Sequence, residues 1–298
     1  MAEAKDAPRV VIIGDALIDE IHRDGSVVTF VGGAALNVAV GLSVLGVPAM
    51  LLAMVGDDAD GERIRGFLAE RGVTLIATIG QNGSSRAVSD RVDGEPVYTF
   101  NDAARSRRIH FGSAELDALA AAQLVVVSSF PFDDSEQTSQ LVAAVQAPKE
   151  RLVIDPNPRA GMLNDRDAFR ETFDRIARNT LLVKVGDEDS ALLYGSSLEE
   201  VTAHLLAGGA PAVLATAGRN GASVATAGGT LANSPITNLP GPIVDSMGAG
   251  DATLASVIQS IVANGFPTDD LSWQAVLRRA MRVAAATCRS EGALLRMA

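Results

Sequence analysis

Short runs of aliphatic residues alternate along this chain with stretches whose apolar positions recur every three or four residues. Arg9–Gly14 reads as a β-branched strand, and Ala35–Leu45 as a buried helix that stops at Gly46 with Pro48 beyond it. Ala49–Val55 is again strand-like, and Asp58–Arg71 has helical spacing up to Gly72. Further strands are expected at Leu124–Ser128, Leu152–Ile154, Leu181–Val185 and Ala212–Thr216. Helices are expected between them at Ser135–Val145, Asp167–Arg178 and Leu198–Leu206, with two long ones at Ala249–Gly265 and Asp269–Arg289. Repeated β-α-β units with continuously apolar strands predict an α/β fold, its mainly parallel sheet covered by helices on both faces. Gly25–Val31 and Arg86–Phe100 break the alternation. Both read as partly polar strands, the second with an Asp93-Gly94 hairpin signal, and they suit a small separate sheet.

Composition narrows the function. The chain has 298 residues, 47% of them apolar, enough for a full core in one domain spanning 1–298. Its net charge is −11 with no basic run of note, which argues against broad nucleic-acid binding. Residues 25–56 carry no charge, but Asn37, Ser43, Pro48 and several glycines split the stretch into a helix and a strand, so no membrane span is expected. The start, MAEAKDAPRVVIIGD, does not read as a secretory signal. A lone cysteine, Cys288, excludes an internal disulfide, and the three histidines form no ligand spacing. A cytoplasmic protein is expected.

Two familiar phosphate-binding devices are missing. No G-x-G-x-x-G follows the first strand, and no Gly-Lys pair exists for a P-loop. Two other glycine clusters stand at helix starts. Gly32-Gly33-Ala34-Ala35-Leu36-Asn37 opens the buried helix, and its amide side chain must find partners, from the protein or from a hydroxylated ligand. Asp245-Ser246-Met247-Gly248-Ala249-Gly250-Asp251 precedes the first long C-terminal helix. Unobstructed N–H groups at a helix N-terminus favour a phosphoryl group, and a first-turn acid suits a proton acceptor; an ordinary turn and a capped helix are the plain alternatives.

Taken together, the two clusters resemble the signature regions of the ribokinase-like (PfkB) carbohydrate kinases, fructokinase-like subgroup. Gly32, Gly33 and Asn37 match the family's Gly-Gly-x-x-x-Asn, and Gly248–Asp251 its Gly-Ala-Gly-Asp, with Asp245 at the expected distance before it. Asp19 falls where the family has a sugar-binding Asp. Asp155-Pro156-Asn157-Pro158-Arg159 resembles D-P-N-x-R, and Thr216, Gly218 and Gly221 resemble the nucleotide-binding T-x-G-x-x-G. The tail around Ala284–Ala293 resembles the strip flanking the adenine.

The resemblance implies a ribokinase-like fold with a β-sheet lid from segments near 15–31 and 85–100. It implies ATP-dependent phosphorylation of a sugar hydroxyl, with Mg²⁺ on the ATP phosphates. In that scheme Asp251 takes the hydroxyl proton and the amides of Gly248, Ala249 and Gly250 stabilise the phosphoryl group. Asp19, Gly32, Gly33, Asn37 and Arg159 hold the sugar. Lys184, Thr216, Gly218 and Gly221 serve the nucleotide, and K⁺ sits near Asp245. A homodimer through the lid is expected, its thin sheet having open edges. The family's Asn-x-x-Glu is replaced by Gly186-Asp187-Glu188-Asp189, which leaves Asp189 to act on the metal through water, or simply to cap a helix. Arg105, Arg107 and Arg108 read as a solvated basic run, with contact to an acidic sugar as the alternative. The other substrates of this fold, 2-keto-3-deoxygluconate, ribose and nucleosides, stay open, as does a sugar-binding regulator that has lost catalysis.

Overall fold

The computed structural model describes residues 9–23, 26–92, 95–145 and 151–297; the Asp93-Gly94 pair of the hairpin signal, Gly25 of the expected Gly25–Val31 strand and the first eight residues of the N-terminal stretch lie outside them. A nine-stranded sheet forms the body, in the order β13-β12-β11-β10-β9-β8-β1-β4-β5. These are β1 (Val10–Gly14), β4 (Ala49–Val55), β5 (Thr74–Ile79), β8 (Leu124–Ser128) and β9 (Leu152–Asp155), then β10 (Leu182–Gly186), β11 (Ala212–Thr216), β12 (Ala222–Thr226) and β13 (Leu231–Ser234). All pair in parallel except β12 and β13, which close one edge antiparallel.

Helices cover both faces, because the parallel strands are apolar on both. In β1, Val10 and Ile12 enter one core and Val11 and Ile13 the other. The first core takes α1 (Ala34–Val44), α2 (Ala59–Glu70), α9 (Ala249–Asn264) and α10 (Asp270–Thr287). The second takes α4 (Ser113–Ala121), α5 (Ser135–Ala144), α6 (Arg166–Ala177), α7 (Asp187–Tyr194) and α8 (Leu198–Ala207). In this second core Phe132 meets Phe169 edge-on at 5.3 Å.

The second sheet has four strands in the order β3-β2-β6-β7. They are β2 (Leu17–Arg23), β3 (Ser26–Gly32), β6 (Ser85–Val92) and β7 (Glu95–Phe100), followed by the short α3 (Asp102–Arg105). This is the expected lid, with one difference. The β2–β6 pair is parallel, and the lid strand β3 and the body elements α1, β4, α2 and β5 intervene between them in the chain. Arg86 on β6 ties the lid to α2 through a bidentate contact with Asp60 (2.6 and 3.0 Å) and also bonds Glu20 at 2.6 Å.

The pattern of the chain did not predict β5, β12, β13, α3, α4 or α7. β5 is an edge strand with half-exposed residues throughout, and β12 and β13 are short and polar, so none carries a long apolar run.

Candidate active site

The carboxyl ends of the strands, the lid and the start of α9 face a common cleft. The order around β1 reverses between β8 and β1, where open α/β sheets form their ligand crevice.

The centre of the site is the start of α9. Gly248 adopts a left-handed conformation (φ 75°) as the N-cap, and a methyl group there would fall 2.0 Å from the Ala293 carbonyl oxygen. Only glycine fits. No side chain caps this helix, and among the described residues the N–H groups of Gly250 and Asp251 find no partner. Free amides at the positive end of a helix form an anion site.

Asp251 lies in the first turn, 8% exposed, and its Oδ2 accepts a 2.8 Å hydrogen bond from Asn37 Nδ2. Burial, reinforced by the charge of Asp155, pushes its pKa up to about 7, against the pull of Asn37, Lys184 and Arg159. That is a useful value for a group that accepts a proton at neutral pH. Asn37 itself is buried on α1, and among the described residues its Oδ1 has no partner. A buried acceptor left open beside a candidate base calls for a ligand hydroxyl.

The Gly32-Gly33 pair has two separate reasons. A methyl group on Gly32 would meet Asp19 Oδ2 at 2.1 Å, so the glycine makes room for that carboxylate. Gly33 starts α1 with φ 113°. Burial, together with the charge of Asp15, pushes Asp19 up to about 7 as well. Asp15 accepts from the Ala35 N–H at 3.0 Å, and burial raises its pKa. Arg159 is half-exposed at the mouth of the cleft, 3.8 Å from Glu188; its charge is felt by Asp15, Asp19 and Asp251.

On the nucleotide side, Lys184 lies beneath the cleft floor rather than on its surface. Its ammonium bonds Asp155 at 2.9 Å and Asp189 at 3.4 Å, and a methyl group on Gly250 would lie 3.7 Å from it. Burial alone would lower its pKa, but these two carboxylates outweigh that and keep it charged. Asp189 is also buried and accepts from the Gly186 N–H at 2.7 Å, capping α7. Thr216 ends β11 next to Gly186, and Gly218 and Gly221 bracket the turn that follows, with Asp187 Oδ2 3.6 Å from where a Gly218 methyl would be. Asp245 fastens the loop before α9, accepting from Met247 N at 2.9 Å and Gly292 N at 3.2 Å.

One sequence reading is overturned. Arg105 is exposed and Arg108 pairs at the surface with Asp134 and Glu136, but Arg107 turns inward, donating to the carbonyls of Ala104 (3.1 Å) and Ser129 (3.3 Å). Ile109, two residues on, is buried beside it, and that two-residue alternation was the only available signal.

A buried carboxyl raised toward 7, free helix-end amides and an open buried amide oxygen are arranged as phosphoryl transfer to a hydroxyl would need. The pfkB family carbohydrate kinase model matches residues 8–297, and the chain belongs to that family. It is similar to a fructokinase of Klebsiella pneumoniae, 28% identical over 96% of this chain and 95% of the relative. Among solved structures, the fructokinase of Xylella fastidiosa with bound ATP aligns with a TM-score of 0.79 at 22% identity, covering 96% of this chain and 94% of that one. The aminoimidazole riboside kinase of Salmonella enterica aligns at 0.76 and 22%, covering 96% and 95%. The protein is a sugar kinase of the ribokinase-like fold.

Proposed function

We propose that the protein transfers the terminal phosphoryl group of ATP to a hydroxyl of a fructose-like ketose. The observation that carries this reading is the pairing of Asp251 with Asn37 beside the free Gly250 and Asp251 amides. Asp19 and the open Oδ1 of Asn37 hold sugar hydroxyls and bring one of them to Asp251. Asp251 accepts its proton as it attacks, and its rise toward 7 leaves it able to do so near neutral pH. The Gly250 and Asp251 amides and the α9 dipole stabilise charge on the phosphoryl group, the main demand of this chemistry; of the expected Gly248, Ala249 and Gly250 amides, that of Ala249 already donates to the Ser246 carbonyl at 3.3 Å. Lys184 holds the floor under that loop, and Thr216, Gly218 and Gly221 form the nucleotide wall.

Mg²⁺ suits the donor set here. Among the described residues no three His, Cys, Asp or Glu side chains converge as a protein cage, while exposed Asp187 and Glu188 flank the nucleotide loop. An ion that binds mostly through phosphates and water needs no more than that. When bound, it supplies charge neutralisation on the ATP phosphates. Asp189 touches it at most through water, since it also caps α7, and Asp245 is the candidate for K⁺.

We further infer one catalytic unit over 1–298, active in the cytoplasm where ATP is kept, and a homodimer through the lid. The exposed Val27, Val28 and Tyr98 on the lid strands support that pairing. Among the described residues no helix is long and apolar enough to cross a membrane.

A coupled ADP-release screen over fructose, ribose, 2-keto-3-deoxygluconate and nucleosides tests the function. Fructose-dependent ADP release is expected. Sugar binding without phosphoryl transfer to any of them would instead make the protein a regulator.

A further inference from the structure

At the switch point between β1 and β8 lies a recess lined by Asp15, Met54, Ser85, Arg107, Ser129 and Phe130. Asp251 and Asn37 are not among the residues that line it, and no step of the phosphoryl transfer uses it. Its walls are built with care. Ser129 takes the left-handed region (φ 53°), unusual for a non-glycine residue. That conformation lets its carbonyl accept from Arg107 Nε while its N–H donates to the Asp155 carbonyl at 3.2 Å.

Arg107 is anchored on one side only. Nη1 bonds the Ala104 carbonyl and lies 3.5 Å from Met162 Sδ, and Nε bonds Ser129. Among the described residues, Nη2 has no partner. Desolvation pulls the arginine below its usual pKa, and the charges of Asp15 and Asp133 offset part of that. Asp15 and Arg107 thus face each other across the recess without a direct ion pair. An opposed acceptor and donor, held apart by backbone anchors, leave room for a group that does both jobs.

We propose that Asp15 and Arg107 form a distal subsite that binds a hydroxyl of the sugar remote from the one phosphorylated. The hydroxyl donates to Asp15 and accepts from Arg107 Nη2. A carboxylate or phosphate on that end of the substrate would meet the Asp15 charge, so the subsite selects a neutral polyol over an acidic sugar. This deepens the fructokinase-like reading and rests on it. Arg107 is a specificity residue here and takes no part in proton transfer.

The test compares the full-length protein with Arg107→Met and Arg107→Lys. The probes are fructose, deoxyfructose analogues each lacking one hydroxyl, and 2-keto-3-deoxygluconate as the acidic sugar. ADP release gives KM and kcat, and calorimetry without ATP gives Kd. For Arg107→Met, fructose KM and Kd should both rise about 10–100-fold, the range for one hydrogen bond from a charged group, with kcat nearly unchanged. The deoxy analogue that lacks the distal hydroxyl should bind the parent protein weakly and lose nothing more in the variant. Arg107→Lys should keep the fold, as judged by melting, and recover only part of the affinity. An equal loss for every sugar would reduce Arg107 to a prop for the Ser129 loop and overturn the subsite. So would unchanged fructose affinity, or an acidic sugar that binds more tightly than fructose and is the one hurt by Arg107→Met. If no sugar releases ADP, the kinase reading falls, while calorimetry still decides the subsite; absence of fructose binding removes both.

Discussion

Among the described residues six helices begin on a capping side chain and four begin on glycine; of these four, α4 and α7 turn Glu115 and Asp189 back onto the N–H of Gly112 and Gly186, while α1 and α9 do not. α2, α3, α5, α6, α8 and α10 start on Asp58, Asn101, Asp134, Asp165, Ser197 and Asp269, each accepting from an N–H in its own first turn. α1 and α9 start on glycines with positive φ and have no side-chain cap. Those two helices meet at the Asn37–Asp251 bond. Where the first turn faces solvent, a short polar side chain satisfies it. Where it faces the cleft the two helices differ: in α1 Asp15 takes the N–H groups of Ala35 and Leu36 from outside the helix, whereas in α9 the N–H groups of Gly250 and Asp251 stay open among the described residues. The difference teaches that ligand space is marked by first-turn amides left without any partner, as in α9, and not by a glycine start alone.

The sharpest way to break this comparison is to remove the acid from the uncapped helix. Asp251→Asn keeps the shape and the hydrogen-bonding capacity but cannot accept the proton. Turnover should fall about 10²–10⁴-fold, and the purified variant should still bind sugar. The parent rate should rise with pH through about 7 as Asp251 loses its proton. Asp19 sits near the same value, so the profile reports the pair, and only the Asp251 component should vanish in the variant. Near-parental turnover in Asp251→Asn would refute the assignment.

Gly248→Ala attacks the same helix start through its backbone. The left-handed φ and the Ala293 carbonyl both oppose a side chain. Strain of about 1–3 kcal/mol should lower the melting temperature and shift the amides away from the phosphoryl group. ADP release should drop at least ~10-fold, since aimed donors of this kind are worth that much or more. Full activity in a stable variant would show that the loop does not need this conformation.

Stability against pH sharpens the picture further. The pKa of Asp251 rises from 3.8 to about 7 on folding, so the folded state holds its proton over that window while the unfolded state has lost it. Its contribution to stability therefore declines as pH rises from about 4 to 7. Asp251→Asn should melt higher than the parent at pH 8, and the gain should shrink at pH 5. A gain that does not change with pH would mean the acid is solvated in the folded state.

The loops were more legible than the side chains that converge on them. Gly32, Gly33 and Gly248 stand out in the sequence as glycine clusters, although the groups that crowd them, Asp19, Asp15 and Ala293, come from elsewhere in the chain. Arg107 is not, since nothing within Arg105–Arg108 says which arginine turns in; that is set by Ala104, Met162 and Ser129, the last two distant in the chain. Lys184 was legible as a strand-end lysine, but its burial depends on Asp155 from the neighbouring strand β9. The lid was readable from its broken alternation, whereas the parallel β2–β6 pairing, with β3, α1, β4, α2 and β5 intervening in the chain, was not.

The smallest effect comes from a capped helix and serves as the other half of the comparison. Asp165 starts α6, and its Oδ1 accepts from Ala168 N at 2.9 Å. The helix buries Phe169 and Phe173 in the second core and presents nothing to the cleft. Asp165→Ala leaves one first-turn N–H to water and should cost roughly 1 kcal/mol in urea unfolding. Because that loss is local to an outer helix, KM and kcat should stay at parental values when measured well below the melting point. If Asp165→Ala lowers kcat as Gly248→Ala does, then helix starts in this protein act through general stability, and the distinction between capped and open first turns loses its functional meaning.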